Sequence, residues 1–334
     1  MAFTLQSQST CWFHSIMNTF FTSPYGRAVL IESMAKYIYD HVASRAELTN
    51  FMRPELTCVR RGQLFSRFRF YKWLYNWFLA PTNNLRRTNV VRNILPYHRT
   101  LTLNEGSYPS HEVIRILERL GITNYIFVNF TTGKPATKIV ERPYFLLIGS
   151  TDYEPCNYTL LPSAAYHGFR LDTASIGIHL DGATTHGRHA ITGTKTSNGD
   201  YVIIDSNIDD VFKCDWREAK NIERNQKYAR AVETTYGRGI RVTNVKLYFA
   251  TYMNPDIKTN LYFNISPNNL RTKLNSAMNV NRPPNRRVLI TRNSGNTNSN
   301  SNRGNTNMNE NSNRGSSNRR SSNSNRRNSN MNTN

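Results

Sequence analysis

An α+β fold is predicted for this chain of 334 residues by two observations: helical periodicity dominates the first 125 residues, and strand signals dominate after them. The helical half runs through Cys11 to Thr22, Arg27 to Ala43 with a Leu30, Met34, Ile38 and Val42 face, an aromatic helix carrying Leu64, Phe68, Tyr71, Tyr75 and Phe78, and His111 to Leu120 stopped by Gly121. Strands follow as β-branched or aromatic runs broken by Gly, Pro and Asn: Tyr125 to Phe130, Tyr144 to Gly149, Ser175 to Leu180, His189 to Thr194, Tyr201 to Asp205, Val242 to Tyr252 and Leu261 to Ile265. Ser197-Asn198-Gly199-Asp200 is a two-residue turn signal, which makes the fourth and fifth runs a hairpin. The expected organisation is a helical half over 1–125, a mainly β half over 126–275 with an antiparallel sheet, and a disordered tail over 276–334, with no internal repeat.

The tail is defined by composition. Its last 44 residues, from Thr291, hold 17 Asn, 10 Ser and seven Arg, with Glu310 the only acid. Such a stretch buries too little apolar surface to offset the entropy of ordering. The whole chain, tail included, is 38% hydrophobic and 11% aromatic, enough for one substantial core or two small ones. Net charge is +21, of which the tail supplies +6 and the body +15. No Asp or Glu occurs between Leu56 and Asn104, where Arg60, Arg61, Arg67, Arg69, Lys72, Arg86, Arg87, Arg92 and Arg99 give nine cations. The aromatic helix within that stretch reads as a core-facing stripe with solvated arginines behind it. The sharper reading of the Arg60 to Arg99 region and of the tail is a nucleic-acid partner.

Targeting signals and membrane spans are absent from the sequence, so an intracellular, non-secreted protein is expected. Four scattered cysteines, Cys11, Cys58, Cys156 and Cys214, suit free thiols in a reducing compartment.

Two short islands carry chemistry. Gln6-Ser-Gln8-Ser-Thr10-Cys11-Trp12-Phe13-His14 opens the first helix, and Arg188-His189-Ala-Ile-Thr-Gly193 is answered across the hairpin by Tyr201-Val-Ile-Ile-Asp205-Ser-Asn207. A thiol attacks as thiolate, and with an unperturbed pKa of about 8.5 it needs help to ionise near neutrality. Thr10 as helix cap would turn the positive helix end toward Cys11. The imidazolium of His189 would complete an ion pair and later protonate the leaving group. Asp205, or Asn207, would orient that imidazole, and the side-chain amide of Gln6 or Gln8 would stabilise an oxyanion beside the Cys11 N–H. His186, three residues from His189, competes for the base role; His14 flanks the site without serving it. Trp12 is expected beneath the site, and Trp216 is placed at its flank. His179, His186, His189 and Asp181 invite a metal reading, but their spacing fits no helix face and no paired cysteines accompany them, so neither metal nor cofactor is expected.

In the order Cys, His, Asp/Asn, with Gln ahead of a Cys-Trp-Phe helix start, His-Ala-Ile in a strand and Tyr-Val-Ile-Ile-Asp-Ser in its partner, the chain resembles the papain-like cysteine peptidases. Thr-Cys-aromatic-x-x-Ser is also similar to the cysteine box of ubiquitin-specific proteases. It departs from both in lacking their longer glycine-rich signatures, and Asp205 stands where papain has Asn. The resemblance implies a papain-like fold with its cleft between the two halves, and hydrolysis of peptide or isopeptide bonds. The implied protein substrate is a ubiquitin-like modifier or a viral precursor, the Asn-rich tail suiting a large DNA virus and placing the enzyme in host cytoplasm or virion. For a ubiquitin tail, Asp152, Glu154 and Asp181 are the candidate acids. Acyl transfer would use the same thiolate. The rival expectation is a non-enzymatic, basic nucleic-acid-binding virion or scaffold protein on a degenerate peptidase fold.

Overall fold

The computed structural model describes residues 10–41, 67–79, 107–150, 156–157, 165–182 and 186–279. Gln6, Gln8, Cys58, Asp152, Glu154, most of the Arg60 to Arg99 region and the Asn-rich tail lie outside the described residues.

Among the described residues the helices α1 (Cys11–Phe21), α2 (Pro24–His41), α3 (Arg67–Leu79) and α4 (Pro109–Leu120) come first. Strands β1 (Tyr125–Asn129), β2 (Phe145–Gly149), β3 (Cys156–Asn157), β4 (Ala165–Tyr166), β5 (Phe169–Asp181), β6 (His186–Lys195), β7 (Tyr201–Ile204) and β8 (Val211–Lys213) follow. The short helix α5 (Ala219–Glu223), then α6 (Gln226–Tyr236), precede the long strand β9 (Arg241–Met253), a 3₁₀ turn (Pro255–Thr259) and α7 (Pro267–Asn279). The strands order as β1-β2-β9-β5-β6-β7-β8, with β3 beside β9 and β4 beside β5. The α+β class holds, but the sheet is mixed, because β1 and β2 run parallel. Residues 130–144 between them are long enough for the crossover that a parallel pair requires, where a hairpin would not be.

Apolar side chains pack on the two faces of this sheet as two cores. One joins α1, α2, α3, α4 and α7 to Phe145, Leu147, Ala190 and Phe249. The other lies behind Ile176, Ile191 and Ile203 and is closed by Trp216, Tyr228 and Val232. Helix α1 is buried on every side after Cys11, its polar residues His14, Ser15, Asn18 and Thr19 included. Where α1 meets the sheet, its contacts are polar: Ser15 Oγ hydrogen-bonds Ser175 Oγ (2.7 Å) and donates to the Ile191 carbonyl (2.8 Å). Thr192 Oγ1 donates to the Ser15 carbonyl (3.2 Å), Thr173 Oγ1 to the Thr19 carbonyl (3.0 Å), and Thr22 Oγ1 to Thr194 Oγ1 (2.9 Å). Directional bonds of this kind fix the rotation and register of α1 over β5 and β6, which apolar packing alone would leave looser.

Four further expectations are corrected. The hairpin between β6 and β7 closes by a five-residue loop, 196–200, rather than a two-residue turn: Lys195 pairs with Tyr201, and Gly199 sits at φ +88° with its N–H on the Thr196 carbonyl. Leu261 to Ile265 is not a strand. Asn260 Oδ1 takes the Tyr262 N–H (2.8 Å) and Asn264 adopts φ +55°, so local asparagine turns win over β propensity. Helix α3 is not two-faced over its described side chains: Phe70, Tyr71, Trp73, Leu74, Tyr75 and Trp77 are buried around its circumference, and Lys72 is buried with them. The segment assigned to the tail from 276 begins inside α7, which continues to Asn279.

Candidate active site

Cys11 opens α1, so the thiol stands at the positive end of the helix. Thr10 does not cap through its side chain; its carbonyl accepts from Phe13 and His14 N–H, both at 3.1 Å.

Strand β7 pairs with β6 only over Thr192 to Lys195. Beyond that point β6 runs on to His186 with β5 on its other edge, and this open stretch carries the base. His189 is therefore the fourth residue of the strand rather than its first. Asp205 directly follows β7, so the carboxylate turns back across the hairpin end to His189: Nε2 lies 2.7 Å from Oδ1, with the histidine 5% exposed and the aspartate wholly buried. With Nε2 on the carboxylate, Nδ1 is the ring nitrogen left for the Cys11 thiol, which is hydrogen-bonded to His189 and to the backbone N–H of Ala190. Cys11 itself is partly exposed. The three residues thus form one hydrogen-bonded series of thiol, imidazole and carboxylate.

The electrostatics follow from that series. Burial pushes the Cys11 thiol up, but His189 and the Ala190 N–H outweigh it and the net shift is downward. Burial pushes His189 down, but Asp205 and Cys11 hold its proton, raising it to about 10. Burial likewise raises Asp205, and His189, the Asn207 N–H and Tyr228 bring it below the ordinary carboxylate value. Each group is charged because its neighbour is.

Of the two candidates for the third position, Asp205 contacts the imidazole. Asn207 is exposed; its backbone N–H donates to Asp205 Oδ1 (2.9 Å) and its side chain meets Tyr236. His186 lies on β6 with Asp181 as its register partner. His14 is buried within α1 and pushed down to about 3 by desolvation, a neutral imidazole in the core. Trp12 packs in the helical core. Trp216 does not flank the site: it lies in the core behind the sheet, donates Nε1–H to the Thr194 carbonyl (2.7 Å), and covers Gly193 so closely that a Cβ there would meet its ring at 2.5 Å. Asp181 accepts a hydrogen bond from Thr243 Oγ1. Among the described residues, no three His, Cys, Asp or Glu side chains gather as a metal site, and no helix is long and apolar enough to cross a membrane.

Two residues were missed by the sequence reading. Tyr228 donates its hydroxyl to Asp205 Oδ2 (2.8 Å), and the Tyr236 hydroxyl lies 3.1 Å from His189 Nε2 with its ring edge-on to the imidazole. Both come from α6, capped by Asn225 through the Tyr228 N–H. Their spacing, with Val232 between them, is the i, i+4, i+8 stripe of a helix face, the one signal in the sequence that places them together.

No family model and no curated protein matches the chain. Among solved structures it is similar to the SAGA DUB module Ubp8/Sgf11/Sus1/Sgf73 bound to monoubiquitin, at 10% identity and TM-score 0.38, covering 76% of this chain and 69% of that one. The same module bound to ubiquitin aldehyde gives 10% identity and TM-score 0.37 over the same shares. An essential yeast splicing factor gives 9% identity and TM-score 0.31, covering 76% and 69%. Likeness at this level decides neither fold family nor chemistry; the site's own geometry has to.

Proposed function

We propose that the chain is a cysteine-dependent hydrolase of peptide or isopeptide bonds, with Cys11 as nucleophile, His189 as base and acid, and Asp205 as orienting carboxylate in a papain-like domain. The observation that carries this reading is the hydrogen-bonded order Cys11, His189, Asp205, with the imidazole between the other two.

The chemistry runs as acyl transfer. The Cys11 thiolate attacks the substrate carbonyl, and the electron pair moves to the carbonyl oxygen, which the Cys11 N–H and the Gln6 or Gln8 amide stabilise. His189 gives its Nδ1 proton to the leaving nitrogen as the C–N bond breaks, leaving a thioester on Cys11. Water then gives a proton to Nδ1 and attacks the thioester; the carboxylic acid leaves and the thiolate–imidazolium pair returns. Throughout, Asp205 holds Nε2–H and keeps Nδ1 aimed at the sulfur. We assign ubiquitin, a ubiquitin-like modifier or a viral precursor as the substrate class, with an extended, small-residue segment entering beside Cys11.

The test is a mass-shift panel on the native chain and Cys11→Ala. The probes are ubiquitin and a ubiquitin-like modifier with C-terminal electrophiles, and a short peptide electrophile. An adduct that maps to Cys11 and is lost in Cys11→Ala supports the reading. Adducts on Cys214 instead, or none with any probe, overturn it.

A further inference from the structure

Asp205 is a carboxylate with no access to water, so its acceptor capacity must be filled by protein. An ionised carboxylate offers about four lone-pair sites. Oδ1 takes His189 Nε2–H and the Asn207 N–H, Oδ2 takes the Tyr228 hydroxyl, and the Tyr236 hydroxyl lies 3.1 Å from His189 Nε2, at the other end of the same bond. His189, Asn207 and Tyr228 thus fill three of those sites. Two tyrosines from one face of α6 reach this imidazole–carboxylate pair, and a helix stripe cannot bring both hydroxyls to it unless the helix sits in a fixed rotation over the hairpin end.

Resting on the reading of Cys11, His189 and Asp205 as a catalytic series, we propose that Tyr228 and Tyr236 are its positioning residues, holding Asp205 ionised and oriented toward His189 and covering the Nε2–carboxylate bond. Tyr228 does this from below, fully buried. Tyr236 does it from the solvent side, half-buried, with its ring edge-on to the imidazole at 5.6 Å between centroids. The nearby Asp205 charge and burial push both phenols well above their ordinary value, so they remain neutral donors wherever the thiolate is formed. Without the Tyr228 hydroxyl the carboxylate would keep only His189 and one backbone N–H. It would then turn or take a proton, and the imidazolium that stabilises the thiolate would lose its counter-charge.

The experiment is a double-mutant cycle on the full chain: Tyr228→Phe, Tyr236→Phe and Asp205→Asn, singly and each tyrosine change combined with Asp205→Asn. Three readouts are used: the pH dependence of Cys11 alkylation, kcat and KM on whichever probe substrate the native chain cleaves, and near-UV circular dichroism to confirm packing. Each phenylalanine variant is expected to keep its tertiary signal and KM, to lose on the order of tenfold in kcat, as for a hydrogen bond to a charged group, and to move the acid limb of Cys11 alkylation to higher pH. In the Asp205→Asn background the same changes are expected to add nothing further. Native-like pH profiles in both phenylalanine variants, or equal losses with and without the Asp205 carboxylate, overturn the positioning role. Should Tyr228→Phe fail to fold, the exposed-side Tyr236→Phe cycle decides alone. If the native chain itself alkylates at Cys11 only like an ordinary thiol, it is the catalytic reading that fails, a result distinct from either outcome in the variants.

Discussion

Two buried histidines, one in the interior of α1 and one at the open end of the β6–β7 hairpin, have opposite fates. His14 and His189 are 4% and 5% exposed. Desolvation governs His14 and takes it down to about 3, while at His189 the same desolvation is overcome by Asp205 and Cys11 and the value rises to about 10. Burial alone discharges an imidazole; burial between a carboxylate and a thiol charges it. The difference comes from what the elements bring alongside. Helix α1 is surrounded by the aromatic core, with the Phe13 ring edge-on to His14 at 5.5 Å, whereas the hairpin ends where β7 stops and lets a carboxylate and a helix terminus approach.

Breaking the charged side of this comparison gives the largest effect. His189→Ala should lower kcat/KM by roughly a thousandfold or more, and Asp205→Asn by about a hundredfold or more, since the wrong imidazole tautomer and an amide facing hydroxyl donors replace a matched network. Turnover of a probe peptide by both variants checks this. Activity in the native chain should rise with pH through the depressed Cys11 value and fall as His189 deprotonates near 10. The raised His189 stabilises the fold fully below its unfolded value of about 6.5, and that contribution is lost as pH climbs through its folded value.

The neutral side has the opposite sign. Because His14 is depressed to about 3, the unfolded chain takes up a proton below about 6.5 that the folded chain refuses, so stability is complete above that pH and falls between there and about 3, at up to roughly 1.4 kcal/mol per pH unit. His14→Gln should flatten this acid loss. Urea midpoints at neutral and mildly acidic pH would show it, and an unchanged slope would mean that His14 titrates normally.

Between the two histidines lies Ser15, whose hydroxyl joins α1 to Ser175 and to the Ile191 carbonyl next to the Ala190 that meets Cys11. Ser15→Ala should cost roughly 1 to 2 kcal/mol in denaturant unfolding and reduce kcat through a looser Cys11, leaving the pH limbs in place.

How much was legible in the sequence divides along the same line. The hairpin signal around Asn198-Gly199 and the apolar runs on either side placed His189 and Asp205 near each other, since pairing across a turn is local. Choosing Asp205 over Asn207 required the register: Thr192 opposite Ile204 turns the next residue inward and leaves Asn207 in the exposed turn. Tyr228 and Tyr236 were hidden because α6 reaches the site from a separate element, and a tyrosine stripe by itself reads as packing. The parallel β1–β2 pair was equally invisible, since strand runs alone carry no direction. The burial of Lys72 was missed because a cation behind an aromatic stripe ordinarily faces water.

The most direct test is the rate of Cys11 alkylation against pH, with peptide mapping, in the native chain and in His189→Ala. A thiolate held by His189 should label Cys11 rapidly below about pH 6, far under the ordinary thiol value, with the acid limb moving up in His189→Ala while His14→Gln leaves it unchanged. Labelling of Cys11 no faster than Cys214, or a profile indifferent to His189, would contradict the charged pair and with it the hydrolase.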